Sequence, residues 1–225
     1  NLYCGKNKVD PLAHRHQLDL VSVDNCPDET ALNSSIMQSV LDGRTIYGFT
    51  DLKRAFNNIG HQVMINDSAK NIAGVKDARN LLILDDDRYY PDKQTFLDKL
   101  GNSNYDILVI KPLFHHSERF SADEIRSLQF KKNGARRLLI AEMNVSETSP
   151  EDYFWQPHWK VGQPSWLARQ SFSNQNGVIT KYWMEPWKQI ISKHFKDIVN
   201  SGFDGVFFTG CLLYTSDAAD EARSV

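Results

Sequence analysis

The run YDILVIKP (105–112) holds four successive apolar residues, Ile107 to Ile110, with no polar position among them. A strand that is apolar on both faces is typical of a parallel sheet covered by helices. Two similar runs flank it, LLILDDD (81–87) before it and RLLIAEM (137–143) after it. The three runs begin 24 and 32 residues apart (105 − 81 and 137 − 105), which leaves room for a helix between them. The pattern therefore predicts βαβ units and a parallel sheet.

Helices are expected between the strands. Ser121 and Glu124 have the spacing of a capping box, in which each residue's side chain accepts from the other's backbone N–H. Gly43 is a suitable residue to follow a helix C-terminus, because it tolerates the left-handed conformation. These signals and the apolar pattern predict helices over four segments: 29–43, 92–101, 121–132 and 186–200.

Three more segments have the composition of strands: LDLVSVD (18–24), TIYGFTD (45–51) and GFDGVFFT (202–209). With the first three they make six candidates, and a closed (β/α)8 barrel needs about eight. We therefore expect an α/β fold of the (β/α)8 TIM-barrel type that is incomplete in this chain. Residues 61–77 are polar and weakly periodic and are interpreted as a connector.

Composition and motifs exclude several classes of protein. A hydrophobic content of 41% with 24% charged residues is ordinary for a globular chain of 225 residues. A net charge of −2 indicates no nucleic-acid surface, and no apolar run reaches the ~20 residues of a membrane span. The cysteines Cys4, Cys26 and Cys211 have no metal-ligand spacing, and the pair His115–His116 is interpreted as a surface pair. No phosphate-loop, dinucleotide or metalloprotease motif occurs, so no cofactor and no metal are expected.

The two ends of the chain invite separate interpretations. The chain starts with Asn1, which indicates a fragment or a processed product. The tail CLLYTSDAADEARSV (211–225) departs abruptly from the preceding sequence, and its first ten or eleven residues look like a translated sequencing adapter. We interpret residues 211–225 as an artefact; a genuine polar tail is the alternative.

Acidic and aromatic residues are concentrated in one part of the chain. Glu142 and Glu147 lie at the end of a predicted strand, and all five tryptophans follow between Trp155 and Trp187. Carboxylates can cleave a glycosidic bond, and indole rings stack on sugar rings. In parallel sheets the carboxyl ends of the strands carry the site. The competing interpretation is that the tryptophans are core and the acids are solvated loop charges.

Over about 130 residues the chain resembles the glycoside hydrolase family 114-like TIM-barrel proteins, whose characterised relatives are endo-α-1,4-polygalactosaminidases. The segments that carry the resemblance are ARNLLILDD (78–86), NYDILVIKPLF (104–114), NGARRLLIAEMNVSE (133–147), DYFWQPHWKVGQPSWL (152–167), YWMEPW (182–187) and GFDGVFF (202–208). The resemblance implies that 78–210 is the first half of such a barrel. Residues 1–60 look similar to closing strands and helices of the same kind of barrel. They belong either to a preceding tandem repeat or to a single barrel whose order places them first.

The resemblance also implies a set of site residues. Glu147 matches the acid that the family retains and is the first candidate for acid/base or nucleophilic work, with Glu142 second. Asp85 and Lys111, at the ends of the first two strands of the match, are expected to face the same cleft. The aromatic residues expected to line sugar subsites are Trp155, Trp159, Trp166, Tyr182 and Trp183.

Three positions depart from the family's pattern. Lys111 and Thr209 stand where relatives commonly carry aspartate, and Ser149 stands where they carry a second glutamate. Two functions therefore stay open: hydrolysis of an amino-sugar (galactosamine-type) polysaccharide, or a non-catalytic glycan-binding or structural barrel repeat. The expected partner is a polysaccharide substrate or glycan ligand, without nucleic acid or a membrane span. The resemblance implies an extracytoplasmic location.

Overall fold

The computed structural model describes residues 67–171 and 175–210 throughout. Before them it describes the backbone of two short strands, Val21–Val23 and Ile46–Phe49, and two helical positions, Thr30 and Ser34. The chain divides into two compact units. The first comprises Asn1–Lys111 and Ser121–Ile140, and the second comprises Pro112–Phe120 and Ala141–Val225. The remainder of the predicted helix 29–43, the three cysteines and the tail 211–225 lie outside the described residues.

The described elements follow the predicted alternation of strands and helices. The strands are β1 (Val21–Val23), β2 (Ile46–Phe49), β3 (Asn80–Leu84), β4 (Ile107–Ile110), β5 (Leu113–Phe114), β6 (Glu118–Arg119), β7 (Leu138–Asn144), β8 (Glu147–Thr148), β9 (Leu167–Gln170), β10 (Val178–Thr180) and β11 (Gly205–Thr209). The helices are α1 (Lys93–Gly101), α2 (Ala122–Leu128) and α3 (Glu185–Ser201), and a short 3-10 helix spans Val75–Asp77.

The six predicted strands are all present and form one sheet in the order β1-β2-β3-β4-β7-β11. The neighbouring pairs from β1 to β4 are parallel, with Leu81 opposite Ile107 and Gly48 opposite Leu81. β7 begins in the first unit and ends in the second. The structure confirms a mixed α/β fold with a parallel sheet. The closed (β/α)8 barrel and the domain boundaries given above stay predictions.

The core of the first unit consists of the apolar residues that the strand pattern places on one face of β3 and β4. Leu81, Ile107 and Val109 are buried together with Ile72 and Leu138. Side chains alternate between the two faces of a strand, and in β4 all four residues are buried. The strand is therefore covered on both sides, as the unbroken apolar run predicted.

Polar groups at the opening ends of these strands satisfy one another. The Lys131 ammonium donates to Asp106 at 2.6 Å, and both side chains are almost completely buried. Lys131 also donates to the carbonyls of Ser68 and Lys70 at 2.8 and 3.0 Å. The second carboxylate oxygen of Asp106 accepts the backbone N–H of Arg79 at 2.8 Å. A buried ion pair is tolerable when each remaining donor and acceptor has a partner, as these do.

The helix signals are confirmed where the structure describes them. The Ser121 hydroxyl accepts from the Glu124 N–H and the Glu124 carboxylate accepts from the Ser121 N–H, so the capping box is present. α2 is shorter than the predicted 121–132, because the chain leaves the helix at Gln129 and Phe130 forms a bridge with Arg136. α3 ends at Gly202, whose φ of 96° is in the left-handed region that glycine tolerates.

The second unit contains two small antiparallel sheets that the sequence did not predict. β5 and β6 form a hairpin, and β8, β10 and β9 form a three-stranded sheet in that order. Ile179 of β10 lies between Glu147 of β8 and Arg169 of β9, so these three side chains share one face.

Some aromatic residues of the second unit remain exposed. Phe207 and Phe208 are adjacent in β11 and therefore lie on opposite faces of that strand, yet both are exposed. The Phe195 ring of α3 stacks on Phe208 with centroids 6.2 Å apart. Among the described helices, none has the length and apolar character that crossing a membrane requires.

Candidate functional site

Glu142 lies on β7 and is buried with only 6% of its surface exposed. The Thr209 hydroxyl, at the end of β11, donates a hydrogen bond to its Oε1. Thr209 is the position at which the resemblance given above leads one to expect aspartate. Its hydroxyl is therefore a donor to Glu142 rather than a second carboxylate beside it.

Glu147 is the first residue of β8, five positions after Glu142. Its side chain is half-buried, and its Oε1 atom is buried without a hydrogen-bond partner among the described residues. A buried carboxylate oxygen with no donor is rare in folded proteins, because desolvation of that oxygen is left uncompensated. Glu147 is thus the acid whose hydrogen-bonding capacity the fold leaves open.

The turn between β7 and β8 is fixed by a side chain and by two neighbouring segments. Asn144 Oδ1 accepts the backbone N–H groups of Ser146 and Glu147, each at 3.0 Å. The Ser146 hydroxyl donates to the Gly210 carbonyl at 3.0 Å, and the Thr180 N–H donates to the Ser146 carbonyl at 2.8 Å. Gly210 has φ +85°, and a Cβ there would overlap Asn144 Oδ1 and Ser146 Oγ. Glycine is therefore required at this point of closest approach.

The tryptophans behind this turn form an aromatic core. Trp166 is 3% exposed and stacks on Trp187 with centroids 5.1 Å apart. Trp159 meets Trp166 edge-on at 4.8 Å, and Trp155 meets Trp159 edge-on at 5.5 Å. The Trp187 indole N–H donates to the Val145 carbonyl at 2.9 Å, which ties α3 to the turn after β7. Trp166 thus supports the core and presents no face to solvent, whereas Trp155 and Trp159 are partly buried against it.

Among the candidate residues of the second unit, Tyr182 and Trp183 form an exposed aromatic pair. Their exposed fractions are 48% and 49%, and their rings meet edge-on with centroids 5.1 Å apart. They follow β10, in which the Thr180 N–H donates a hydrogen bond to the carbonyl of Ser146, the residue before Glu147. An exposed aromatic pair offers the flat apolar surface on which a sugar ring can stack.

Asp85 and Lys111 belong to the first unit and form an ion pair. The Lys111 ammonium lies 2.6 Å from Asp85 Oδ1, with side-chain exposures of 24% and 49%. The structure therefore brings these two predicted residues together at the ends of β3 and β4.

A charged cluster surrounds Tyr153 beside the tryptophan core. Its hydroxyl donates to Asp197 at 3.1 Å, and the Arg119 and Lys193 cations lie 5.6 and 5.7 Å from its ring centroid. Burial, reinforced by the Asp197 carboxylate, raises the pKa of Tyr153 to about 12. The phenol is therefore neutral at physiological pH and acts as a hydrogen-bond donor.

The His194 ring, on α3, packs against the rings of Tyr153 and Phe154. Burial lowers its pKa below the ordinary histidine value, although the Asp152 and Asp197 carboxylates oppose that shift. Its Nδ1 is buried without a hydrogen-bond partner among the described residues.

Asp152 receives a hydroxyl and a backbone donor from the residues after Glu147. Its Oδ2 accepts from Thr148 Oγ1 at 2.7 Å and from the Ser149 N–H at 2.8 Å, and His116 Nδ1 lies 3.9 Å from its Oδ1. Burial raises the pKa of Asp152, but hydrogen bonding with His116, Thr148 and Ser149 outweighs it and leaves that pKa below its ordinary value.

His115 and His116 form a turn with an unusual backbone conformation. Both residues have positive φ, 47° and 62°, and the Ser117 N–H donates to the Phe114 carbonyl at 3.2 Å. Within the described part of the chain, no group of three histidine, cysteine or acidic side chains could hold a metal ion.

Sequence reasoning missed two residues that shape this region. Asn144 could have been noticed as an Asx turn former directly after a predicted strand. Trp187 was counted among the tryptophans, but nothing in the sequence indicated that its N–H bonds the turn after β7.

The chain was compared with family models, curated proteins and solved structures. No family model matches it. An uncharacterized protein of Methanocaldococcus jannaschii is 29% identical over 143 residues, covering 62% of this chain and 39% of that protein. An uncharacterized protein of Deinococcus radiodurans is 27% identical over 114 residues, covering 51% of this chain and 35% of that protein. The chain thus spans well under half the length of the curated relatives it matches.

Among solved structures, the glycoside hydrolase domain of PelA from Pseudomonas aeruginosa is similar at a TM-score of 0.35 and 14% identity. A variant of that domain gives a TM-score of 0.36 at 12% identity; each match covers 49% of this chain and 39% of the other. Likeness at this level does not establish a common fold.

Proposed function

We propose that the chain carries a glycoside hydrolase site and that Glu147 is its principal carboxylate. The substrate class is an amino-sugar polysaccharide of the galactosamine type, and the reaction is hydrolysis of its glycosidic bond. The observation that carries the proposal is the buried Glu147 Oε1, which has no hydrogen-bond partner among the described residues.

A buried carboxylate oxygen without a donor destabilises the folded protein by about 1–3 kcal/mol. Such a cost is compatible with a group that a ligand satisfies in the complex. In the reaction, a protonated Glu147 can donate its O–H to the glycosidic oxygen, or its carboxylate can accept a hydrogen bond from an attacking water. Substrate or water can therefore supply the hydrogen-bond partner that Glu147 Oε1 lacks among the described residues.

Glu142 is the second carboxylate of the proposal. Cleavage of a glycosidic bond commonly uses two carboxyl groups, about 5 Å apart for retention or about 6.5–9.5 Å apart for inversion. The Thr209 hydroxyl donates to one oxygen of Glu142 and holds that carboxylate at the end of β7. In this role Glu142 orients the reacting group while Glu147 exchanges the proton.

The exposed pair Tyr182 and Trp183 is the proposed sugar platform. Trp155 and Trp159 are further candidates for sugar binding, and their rings are partly buried against the aromatic core. The buried Trp166 is proposed to contribute by supporting these two rings. Asp85 and Lys111 remain proposed substrate-binding residues. Their ion pair leaves Asp85 half-exposed and available to a substrate hydroxyl or ammonium group.

The test is the Glu147→Gln variant, which keeps the side-chain shape and removes the ionisable group. The substrate is an α-1,4-linked oligogalactosamine, and released reducing ends are measured. We expect the wild type to release them and Glu147→Gln to lose at least about a thousandfold in kcat. Glu185→Gln, an exposed acid at the start of α3, is the matched control and should keep full activity. Near wild-type turnover in Glu147→Gln would sink the assignment.

A second candidate is a non-catalytic glycan-binding barrel. The observation that favours it is the hydrogen bond from the Thr209 hydroxyl to Glu142. The family that the chain resembles commonly has a second acid at position 209, where this chain has threonine. In that case the wild type binds the oligosaccharide saturably but releases no reducing ends. Glu147→Gln then changes the affinity at most a few-fold, so the same assay separates the two functions.

A further inference from the structure

The end of β7 is shaped by one side chain. Asn144 Oδ1 accepts the N–H groups of the residues two and three positions later, Ser146 and Glu147, each at 3.0 Å. This is the geometry by which asparagine replaces a backbone acceptor in an Asx turn. Ser146 is 1% exposed, so water has little access to satisfy its N–H in place of Asn144.

The other bonds of this turn hold the residues before Glu147. Val145 donates its N–H to the Thr209 carbonyl at 3.1 Å and accepts the Trp187 indole at 2.9 Å. Ser146 is held by the Gly210 carbonyl and by the Thr180 N–H. These contacts fix the chain as far as Ser146, and the Asn144 carboxamide extends that support to the Glu147 backbone.

We propose that Asn144 is a positioning residue for Glu147, an inference that rests on the hydrolase function proposed above. Its carboxamide sets the backbone direction with which Glu147 enters β8, and therefore the direction in which the carboxylate leaves the strand. Oε1 of Glu147 has no hydrogen-bond partner among the described residues, so the backbone direction contributes to how this carboxylate is oriented. A reacting group displaced by about 1 Å can lose about a hundredfold in rate.

Three variants of the chain test this role. Asn144→Ala removes the acceptor, and Asn144→Asp keeps its shape and can accept from both N–H groups. Asn133→Ala is the matched control, because Asn133 Oδ1 accepts the Ala135 N–H at 3.1 Å in an Asx turn of the first unit. Two readouts are used: kcat and KM on α-1,4-linked oligogalactosamine, and amide hydrogen exchange at Ser146 and Glu147.

We expect Asn144→Ala to lower kcat about 10- to 100-fold with KM within twofold, and Asn144→Asp to recover most of that loss. Exchange at the two amides should speed up in Asn144→Ala and stay at wild-type rates in Asn133→Ala. Should Asn144→Ala fail to fold, Asn144→Ser, which keeps a shorter acceptor, takes its place.

The two proposals fail in different ways. Unchanged exchange at Ser146 and Glu147 in Asn144→Ala overturns the positioning role, whatever the activity. Unchanged kcat in a variant whose exchange has increased also overturns it. A wild type that hydrolyses nothing overturns the hydrolase proposal, and the exchange measurement then decides alone whether Asn144 orders the Glu147 backbone.

Discussion

The buried pair Asp106–Lys131 before β4 and the Glu147 carboxylate after β7 differ in how their polar atoms are satisfied. At the opening end of β4, Asp106 and Lys131 are almost fully buried, and each has a hydrogen-bond partner for the atoms it presents. After the closing end of β7, Oε1 of Glu147 is buried and has no hydrogen-bond partner within the described part of the chain. The satisfied pair favours stability, whereas the unpartnered Glu147 oxygen is compatible with the function proposed above. In barrel enzymes the same division lies between the two ends of the strands.

The largest effect is expected at the opening end. Lys131→Met leaves the Asp106 carboxylate buried without its cation, which should lower the free energy of unfolding by about 3–5 kcal/mol. Urea denaturation followed by circular dichroism measures this. The double variant with Asp106→Asn should recover part of the loss, because no uncompensated charge remains. A single variant as stable as wild type would remove the first half of the comparison.

The opposite sign is expected for Glu147. Glu147→Met replaces the unpartnered carboxylate by an apolar side chain of similar length, which should raise the free energy of unfolding by about 1–3 kcal/mol. The matched control is Asp85→Asn, which breaks a half-exposed ion pair and should lower stability by less than about 1 kcal/mol. The same denaturation series measures both. If Glu147→Met destabilises the protein, the native state satisfies the carboxylate and the contrast between the strand ends disappears.

The smallest effect is expected for His194 on α3. Its Nδ1 is also buried without a hydrogen-bond partner among the described residues, so it tests whether such a group matters away from the strand ends. Its pKa is lowered, mainly by burial, so the folded state binds fewer protons than the unfolded state between that pKa and about 6.5. Stability should therefore fall as the pH drops below about 6.5 and level off below the folded-state pKa.

The His194→Phe variant should lose this slope, be more stable relative to wild type at pH 5.5 than at pH 7.5, and keep full hydrolytic activity. Thermal unfolding at several pH values and the reducing-end assay measure the two parts. Loss of activity in this variant would mean that unsatisfied groups away from the strand ends also serve the site.

The sheet and the helix caps were predictable because their signals are local. Unbroken apolar runs indicated β3, β4 and β7, and the spacing of Ser121 and Glu124 indicated the start of α2.

The small sheets of the second unit were not predictable, because their signals are not local. β8 pairs with β10 about thirty residues later, and the β9–β10 register shifts at a bulge. The hairpin turn at His115–His116 lacks the glycine or asparagine that usually marks positive φ. A turn without its usual residues gives no sequence signal.

The positions of the two candidate acids on the strands were more predictable than the burial of the candidate aromatic residues. Glu142 lies near the closing end of β7 and Glu147 follows that strand, and this is the end at which parallel sheets commonly carry a site. Which tryptophans are buried depends on tertiary packing, and a segment without regular periodicity contains no information on that. Trp166 and Trp183 look alike in the sequence, but one is core and the other half-exposed.

The aromatic residues of β11 and α3 affect how the protein behaves in a test tube. Phe207 and Phe208 present rings on both faces of the last strand in the sheet order, and Phe195 extends that surface onto the helix. Exposed aromatic rings on both faces of a strand favour self-association. Preparations of this chain should therefore scatter more light as they are concentrated, and mild detergent or charged residues at 207 and 208 should keep them dispersed.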